Sequence, residues 1–87
     1  MHILLTYDIS SKKGKRLAHL CENELVRVQK SVFEGEISYK RLARLKDGIR
    51  RAIDITQDSV LIYYLDEDGA LSKESIGKLM RTDYRFL

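Results

Sequence analysis

One acidic side chain stands where the chain leaves a predicted strand, and it is the first candidate for chemistry. Asp8 follows the apolar run Ile3-Leu4-Leu5 and precedes Ser10 and Ser11. A carboxylate beside an apolar core must be hydrogen-bonded, paired or bound to a metal. Two interpretations stay open: Asp8 caps the turn formed by the two serines, or it binds Mg²⁺. Because Mg²⁺ needs only one or two carboxylates plus a phosphate, two copies of Asp8 meeting across a two-fold axis would suffice.

The segment that follows Asp8 is rich in basic residues. Four of them lie in the first turns of a predicted helix: Lys12, Lys13, Lys15 and Arg16. Cations at a helix start oppose the helix dipole, but together with the free backbone N–H groups they favour a phosphate ligand. The alternative is a row of lysines that only contact water.

A second group of candidates surrounds a predicted hairpin. Arg27 and Lys30 flank its turn. Arg27 could hold a phosphate or pair with Glu34 or Glu36. Phe33 could stack on a base, although a strand phenylalanine is more often a core residue. Tyr7 immediately precedes Asp8, and its default role is packing in the sheet.

The second predicted helix carries more positive charge. Lys40 and Arg44 lie opposite its apolar stripe of Leu42, Leu45 and Ile49. A solvated amphipathic face explains this pattern without a ligand. The same cations could also contact a DNA backbone, since phosphate contacts need only placed positive charge.

Several classes of protein are excluded by composition and motif. The 87 residues, with a net charge of +3, fit one domain and permit a nucleic-acid partner without demanding one. No apolar run is long enough to span a bilayer, so we expect a cytoplasmic protein without a membrane partner. There is no Gly-x-Ser-x-Gly elbow and no glycine-rich phosphate loop. The single cysteine, Cys21, lies on an apolar helix face, and this position predicts a small buried apolar residue.

The elements that must position these residues follow from hydrophobic periodicity and capping signals. The expected order is strand, helix, two strands of a hairpin, helix, strand and a tail. The predicted bounds are His2–Asp8, Ser10 or Ser11 to about Glu24, Leu25–Ile37, Ser38 to about Ile53, Asp58–Leu65 and Leu71–Leu87. This order predicts an α+β, ferredoxin-like βαββαβ fold, with both helices on one face of an antiparallel sheet.

A sheet that is apolar on both faces should cover its open face with a partner. We therefore expect a homodimer. We expect residues 1–87 to form a single domain with its core in 1–66, and the tail 67–87 to add a strand to the neighbour's sheet. Within this tail, Asp83 to Phe86 could form a short strand.

Two stretches resemble the small CRISPR-associated protein family that accompanies the integrase in spacer acquisition. The first is Tyr7-Asp8-Ile9-Ser10, and the second is Arg27-Val28-Gln29-Lys30-Ser31-Val32-Phe33-Glu34. The strand Asp58 to Tyr63 fits as well. The resemblance extends from His2 to about Leu65.

The resemblance implies a ferredoxin-like homodimer in which Asp8 faces its symmetry mate and binds a divalent metal. It also implies an endonuclease that acts on single-stranded RNA or duplex DNA, and a dimer that bridges two integrase dimers. By position, Tyr7, Arg27 and Phe33 match residues linked to activity in the family. Lys15 and Arg16 match its basic positions early in the first helix only loosely.

Of four candidate functions, we expect a role in CRISPR adaptation, as the resemblance implies. The first is magnesium-dependent hydrolysis of a phosphodiester by a CRISPR adaptation protein. The second is a non-catalytic scaffold that holds DNA for the integrase. The third is a toxin-like nuclease acting on messenger RNA. A regulatory domain that binds a small molecule is the least favoured, because a glycine-rich effector loop is absent.

Overall fold

The computed structural model describes residues 1–65 and 67–78, which form one sheet and two helices. The elements in chain order are β1 (His2–Asp8), α1 (Gly14–Glu22), β2 (Val26–Gln29), β3 (Val32–Glu36), α2 (Tyr39–Ala52), β4 (Ser59–Leu65) and β5 (Leu71–Gly77). The strand order is β2-β3-β1-β4-β5, and every neighbouring pair is antiparallel. The predicted ferredoxin-like arrangement is confirmed, with β5 as an additional strand at the β4 edge.

Side chains of β1 alternate between two different environments. Ile3 and Leu5 are fully buried beneath the helices, and they pair with core residues of β4 in register. Leu4, Thr6 and Asp8 point to the opposite face, which no helix covers. The alternation arises because successive strand residues point to opposite sides of a sheet. The face without helices is called the open face below.

The hydrophobic core lies between the sheet and both helices. Leu17 and Cys21 from α1 and Ile49 from α2 are completely buried there, against Phe33 of β3. Burial raises the pKa of the Cys21 thiol to about 12. The thiol therefore stays protonated and unreactive at neutral pH, as expected for a small buried hydrophobe.

The two helix starts differ from each other. Ser38 caps α2 as predicted, because its hydroxyl accepts a hydrogen bond from the Arg41 backbone N–H at 3.2 Å. The predicted serine cap of α1 is wrong. α1 begins at Gly14, after Lys13, which provides no side-chain cap. The Ser11 hydroxyl instead donates a hydrogen bond to the Asp58 carboxylate, in the loop between α2 and β4.

The beginning of the predicted tail forms an ordinary edge strand of this chain. β5 pairs with β4 over seven register positions from Leu65–Leu71 to Ser59–Gly77. Gly77 has a φ of 92°, and a Cβ there would lie 2.3 Å from the Asp58 carbonyl oxygen. Only glycine fits so close a contact. Exchange of the tail between subunits stays a prediction, and the possible strand at 83–86 lies outside the described residues.

Within the described residues, neither helix is long and apolar enough to cross a membrane.

Candidate functional site

Asp8 is the last residue of β1 and is exposed on the open face. It pairs in register with Ser59 of β4, so its position at the sheet end is fixed by the ladder. No described residue forms a hydrogen bond or an ion pair with its carboxylate. An exposed carboxylate without a protein partner is available to a cation or to a donor from another molecule.

The carboxylate that organises the loop after β1 belongs to Asp58. Its Oδ1 accepts the backbone N–H groups of Ser10 and Ser11 at 2.9 and 3.0 Å, and its Oδ2 accepts the Ser11 hydroxyl at 2.6 Å. Oδ2 also accepts the Asp54 backbone N–H at 2.9 Å. The interpretation in which Asp8 caps this turn is therefore wrong, since Asp58 performs that role.

Asp58 is ionised although it is completely buried. Burial alone would raise the pKa of its carboxyl group. Hydrogen bonds from the Ser11 hydroxyl and from the backbone of Asp54, Ser11 and Ser10 outweigh burial and lower the pKa to about 2. Four donors to one carboxylate favour its charged form. Asp58 thus ties the loop after β1 to the loop before β4.

The donor set of one chain fits a metal only in part. The described residues contain no group of three or more histidine, cysteine, aspartate or glutamate side chains that could hold an ion. Asp8 provides one free carboxylate, which is compatible with Mg²⁺ because that ion retains most of its water. A second carboxylate would have to come from a second copy of the chain.

Tyr7, Phe33 and Arg27 lie together on the helix side of the sheet. The Tyr7 and Phe33 rings are stacked with their centroids 6.1 Å apart. The Arg27 guanidinium carbon lies 5.5 Å from the centroid of the Phe33 ring, a cation–π contact. Burial raises the pKa of the Tyr7 hydroxyl, and the charge of Arg27 partly opposes this. Tyr7 is thus a neutral hydrogen-bonding group at ordinary pH.

Phe33 is 0% exposed, so its ring has no free surface on which a base could stack. The interpretation in which Phe33 stacks on a base is not supported. The Phe33 ring instead packs against the Tyr7 ring and the Arg27 guanidinium. Any contribution of Phe33 to chemistry therefore passes through these two neighbours.

The Arg27 guanidinium is hydrogen-bonded to groups of its own chain. Its Nε and Nη2 donate to the Lys30 carbonyl oxygen at 3.1 and 2.5 Å. Its Nη1 lies 3.3 Å from a carboxylate oxygen of Glu22 in α1. The partner suggested by the sequence, Glu34 or Glu36, is wrong, because both acids flank His2 on the open face. Arg27 closes the hairpin turn and connects it to α1.

A cleft opens beside Tyr7 between the end of β1, the first turns of α1 and the β2–β3 turn. Its volume is about 690 Å³. It is called the α1 cleft below, and its lining consists of Tyr7, Ile9, Ser11, Gly14, Lys15, Ala18, His19, Glu22, Arg27, Lys30 and Ser31. The cleft brings Lys15 and Lys30 together with Tyr7 and Arg27. Asp8 is not part of it, because it points to the other side of β1.

The remaining predicted cations are exposed around the helices. Lys12 and Lys13 precede α1, Arg16 lies on its outer side, and Lys40 and Arg44 lie on the outer side of α2. Lys13 is near Asp54, whose pKa is lowered mainly by hydrogen bonds from Thr56 and less by the lysine charge. The other four form no ion pair with any described residue.

Two polar groups of the structure were not singled out by sequence reasoning. Asp58 was treated only as the start of a strand, although the argument that a carboxylate beside a core needs partners applied to it equally. Glu74 of β5 accepts hydrogen bonds from the Tyr64 hydroxyl and, at 3.1 Å, from the Lys46 ammonium. These bonds connect β5 to β4 and α2, and no sequence motif marks them.

Comparison with known proteins now decides the family. The model of a family described as CRISPR associated protein Cas2 matches residues 1–72. The chain belongs to the Cas2 family. The matched residues include β1 with Asp8, the hairpin with Arg27 and both helices, so every candidate described above lies within the family's common region.

Individual Cas2 proteins agree with this assignment. The relative from Methanocaldococcus jannaschii, named CRISPR-associated endoribonuclease Cas2, is 35% identical over 77 residues, which are 88% of this chain and 68% of the relative. The relative of the same name from Thermococcus kodakarensis is 42% identical over 65 residues, 75% of this chain and 76% of the relative. The crystal structure of Streptococcus pyogenes Cas2 matches with a TM-score of 0.71 at 31% identity, covering 78% of this chain and 89% of that one.

Proposed function

We propose that two copies of this Cas2 chain form a nucleic-acid-binding homodimer that hydrolyses phosphodiester bonds at a site containing both Asp8 carboxylates. The observation that carries the proposal is the exposed Asp8 carboxylate, which has no partner among the described residues and stands at the end of a strand on the open face. Two such faces packed together would bring two copies of Asp8 into one site.

The open face supports the dimer because it exposes contiguous apolar surface. A groove of about 400 Å³ lies on it towards the His2 end of β1, lined by His2, Leu4, Glu34, Tyr63, Leu65 and Leu71. Leu65 is 47% exposed and Leu71 is 63% exposed. Contiguous apolar surface of this kind marks interaction sites in soluble proteins. A second copy would remove these side chains from water and leave the polar helix side free for nucleic acid.

The roles of the chain's own residues follow from their positions. Asp8 would hold a divalent ion together with its copy from the second subunit, so the reacting phosphate would lie near the proposed dimer axis. Exposed cations such as Lys12 and Arg16 contact neighbouring phosphates. Mg²⁺, when bound, supplies Lewis-acid chemistry by polarising a phosphoryl oxygen and acidifying a water. Hydrolysis adds water across one P–O bond, so the attacking oxygen loses a proton and the leaving oxygen gains one.

We propose RNA as the substrate and duplex DNA as the second substrate to be tested. The RNA assignment is supported by the names of the curated relatives, which are endoribonucleases. The biological setting that we propose is CRISPR spacer acquisition in the cytoplasm, with the CRISPR integrase subunit as protein partner. The family membership of the chain supports this setting.

The experiment compares cleavage of labelled single-stranded RNA by wild type, Asp8→Asn and Asp68→Asn, with Mg²⁺ and with EDTA. We expect cleavage by wild type and Asp68→Asn with Mg²⁺ only, and a loss of at least about 100-fold in Asp8→Asn, which keeps the shape but not the charge. Asp68 is a matched control, since it is an exposed acid in the turn before β5. Equal cleavage by all three proteins would refute the proposed site.

A scaffold that does not cleave is the second candidate, and one observation favours it. No histidine stands beside Asp8 to serve as a base: His19 lies in the α1 cleft, and His2 lies at the opposite end of β1. In this case the dimer would hold DNA while the integrase performs the reaction. Spacer integration by the purified integrase would then be unchanged with Asp8→Asn and would require the cations Lys40 and Arg44.

A further inference from the structure

The α1 cleft has the size of a ligand site and a composition that the proposed metal site does not use. Its volume of about 690 Å³ lies within the range of sites that bind small molecules. Ile9 and Ala18 supply apolar wall, and the half-buried ring of Tyr7 supplies an aromatic one. Ser31 lines the cleft, as does Ser11, whose hydroxyl already donates a hydrogen bond to Asp58. Apolar and aromatic walls combined with placed polar groups are typical of sites that bind small molecules.

The charge of the cleft is positive because its single acid is already paired. The Glu22 carboxylate forms its ion pair with Arg27 at 3.3 Å. Lys15 and Lys30 line the same cleft, and neither forms an ion pair with a described residue. His19 lines it as well and can add a hydrogen-bond donor. Two ammonium groups without a counter-charge would attract an anion such as a phosphate.

Gly14 keeps the cleft open. It is the first residue of α1, where a residue with a side chain would be a better helix former. Its φ is not in the left-handed region, and the nearest atom to a Cβ placed there would be Ile9 Cγ2 at 4.0 Å. Neither the backbone nor the core therefore requires glycine. A larger side chain at this position would occupy part of the cleft.

We propose that the α1 cleft binds one unpaired nucleotide of a nucleic-acid strand, with its base against the Tyr7–Ile9 wall and its phosphate at Lys15 and Lys30. The inference rests on the proposed nucleic-acid function and refines it by assigning the α1 cleft as the place that holds one unpaired nucleotide. A base within a duplex is stacked and paired, so it cannot enter a cleft of this size without being extruded. The cleft therefore discriminates unpaired from paired strands.

The test uses the full chain and a blocking variant. Gly14→Leu fills the cleft without changing charge, and Ala43→Leu adds a leucine on the exposed side of α2 as the matched control. Fluorescence anisotropy measures the affinity of each protein for a 12-nucleotide single-stranded RNA and for a blunt RNA duplex of the same sequence. We expect Gly14→Leu to weaken single-strand binding at least fivefold, the lower end of what one stacked base contributes. We expect duplex binding to be unchanged.

A second variant keeps the test valid if Gly14→Leu does not fold. The double variant K15A/K30A changes exposed residues only. Because the two lysines share the one phosphate of the bound nucleotide, the variant should lower the slope of log affinity against log salt by about 0.7 for the single strand. Undiminished single-strand affinity in these variants would overturn the cleft assignment, as would an equal loss for both RNAs. Failure of the wild type to bind either RNA would instead overturn the proposed function itself.

Discussion

Tyr7 and Asp8 are consecutive residues of β1, yet they face opposite sides of the sheet. Tyr7 stacks on Phe33 on the helix side, with 6.1 Å between ring centroids, whereas Asp8 is exposed on the open face. The two residues therefore cannot contact the same atom of a substrate within one subunit. Their contributions to function should be separable by substitution, with Tyr7 acting at the α1 cleft and Asp8 at the proposed dimer axis.

Substitution of these neighbours should affect stability very differently. Tyr7→Ala removes a half-buried ring from its stack and should lower the free energy of unfolding by about 2 kcal/mol. Asp8→Ala removes an exposed carboxylate without a partner in the described chain and should change it by no more than about 0.5 kcal/mol. Urea unfolding of both variants measures this difference. A large loss of stability in Asp8→Ala would show that its carboxylate is bonded within its own subunit, and would contradict the proposed metal role.

The buried carboxylate of Asp58 should make stability depend on pH in the acid range. Its pKa is about 2 in the folded protein, below the ordinary value near 3.8, so the folded state binds fewer protons than the unfolded state between these values. The contribution of Asp58 to the free energy of unfolding is complete above about pH 4 and is lost as the pH falls towards 2.

Asp58→Asn isolates this contribution from that of other acids. At pH 7 the variant should be less stable by about 2 kcal/mol, since it loses charge-assisted hydrogen bonds and its amide group faces donors. The difference in free energy of unfolding between wild type and variant should become smaller as the pH falls from 4 to 2. Chemical denaturation at several pH values measures it, and a difference that stays constant over this range would contradict the role given to Asp58.

Much of the fold follows from local patterns in the sequence. β1 and β4 are recognised because their central positions are apolar on both faces, and Ser38 marks the start of α2 correctly. β5 is not marked in this way. Ile76 is its only buried residue, so the alternation typical of a half-buried strand is missing. Its position depends instead on long-range contacts, including those of Glu74 with Tyr64 and Lys46.

The candidate site is less accessible to sequence reasoning than the fold. The alternation along β1 predicts that Tyr7 and Asp8 face opposite sides of the sheet. It does not show that the hydrogen-bond partner of Ser11 is Asp58, which is 47 residues away along the chain. Nor does any pattern show that Arg27 pairs with Glu22 of α1 rather than with an acid of its own hairpin. Such pairings depend on tertiary packing, which side-chain periodicity does not encode.

A charged residue introduced on the open face should dissociate the proposed homodimer. Leu65→Asp would place an unpaired carboxylate in the interface, and this should raise the dissociation constant of the dimer at least about 100-fold, because burial of such a charge costs several kcal/mol. Ile55→Asp is the matched control, since Ile55 is 61% exposed in the loop after α2. Sedimentation velocity across micromolar concentrations measures both. A wild type that is monomeric throughout this range would refute the dimer.

Cations on the outer side of α2 should contribute to duplex binding without contributing to single-strand binding in the α1 cleft. Lys40 and Arg44 are exposed and form no ion pair with the described part of the chain, so K40Q/R44Q should leave stability nearly unchanged. If both side chains contact phosphates, the slope of log affinity against log salt for duplex DNA should fall by about 1.8, from about 0.9 for each contact. The control A70D/S72D lowers net charge by the same two units at exposed positions just before β5 and within it. An equal change of slope in the control would show that only the overall charge matters, and an unchanged slope in K40Q/R44Q would place the duplex on another surface.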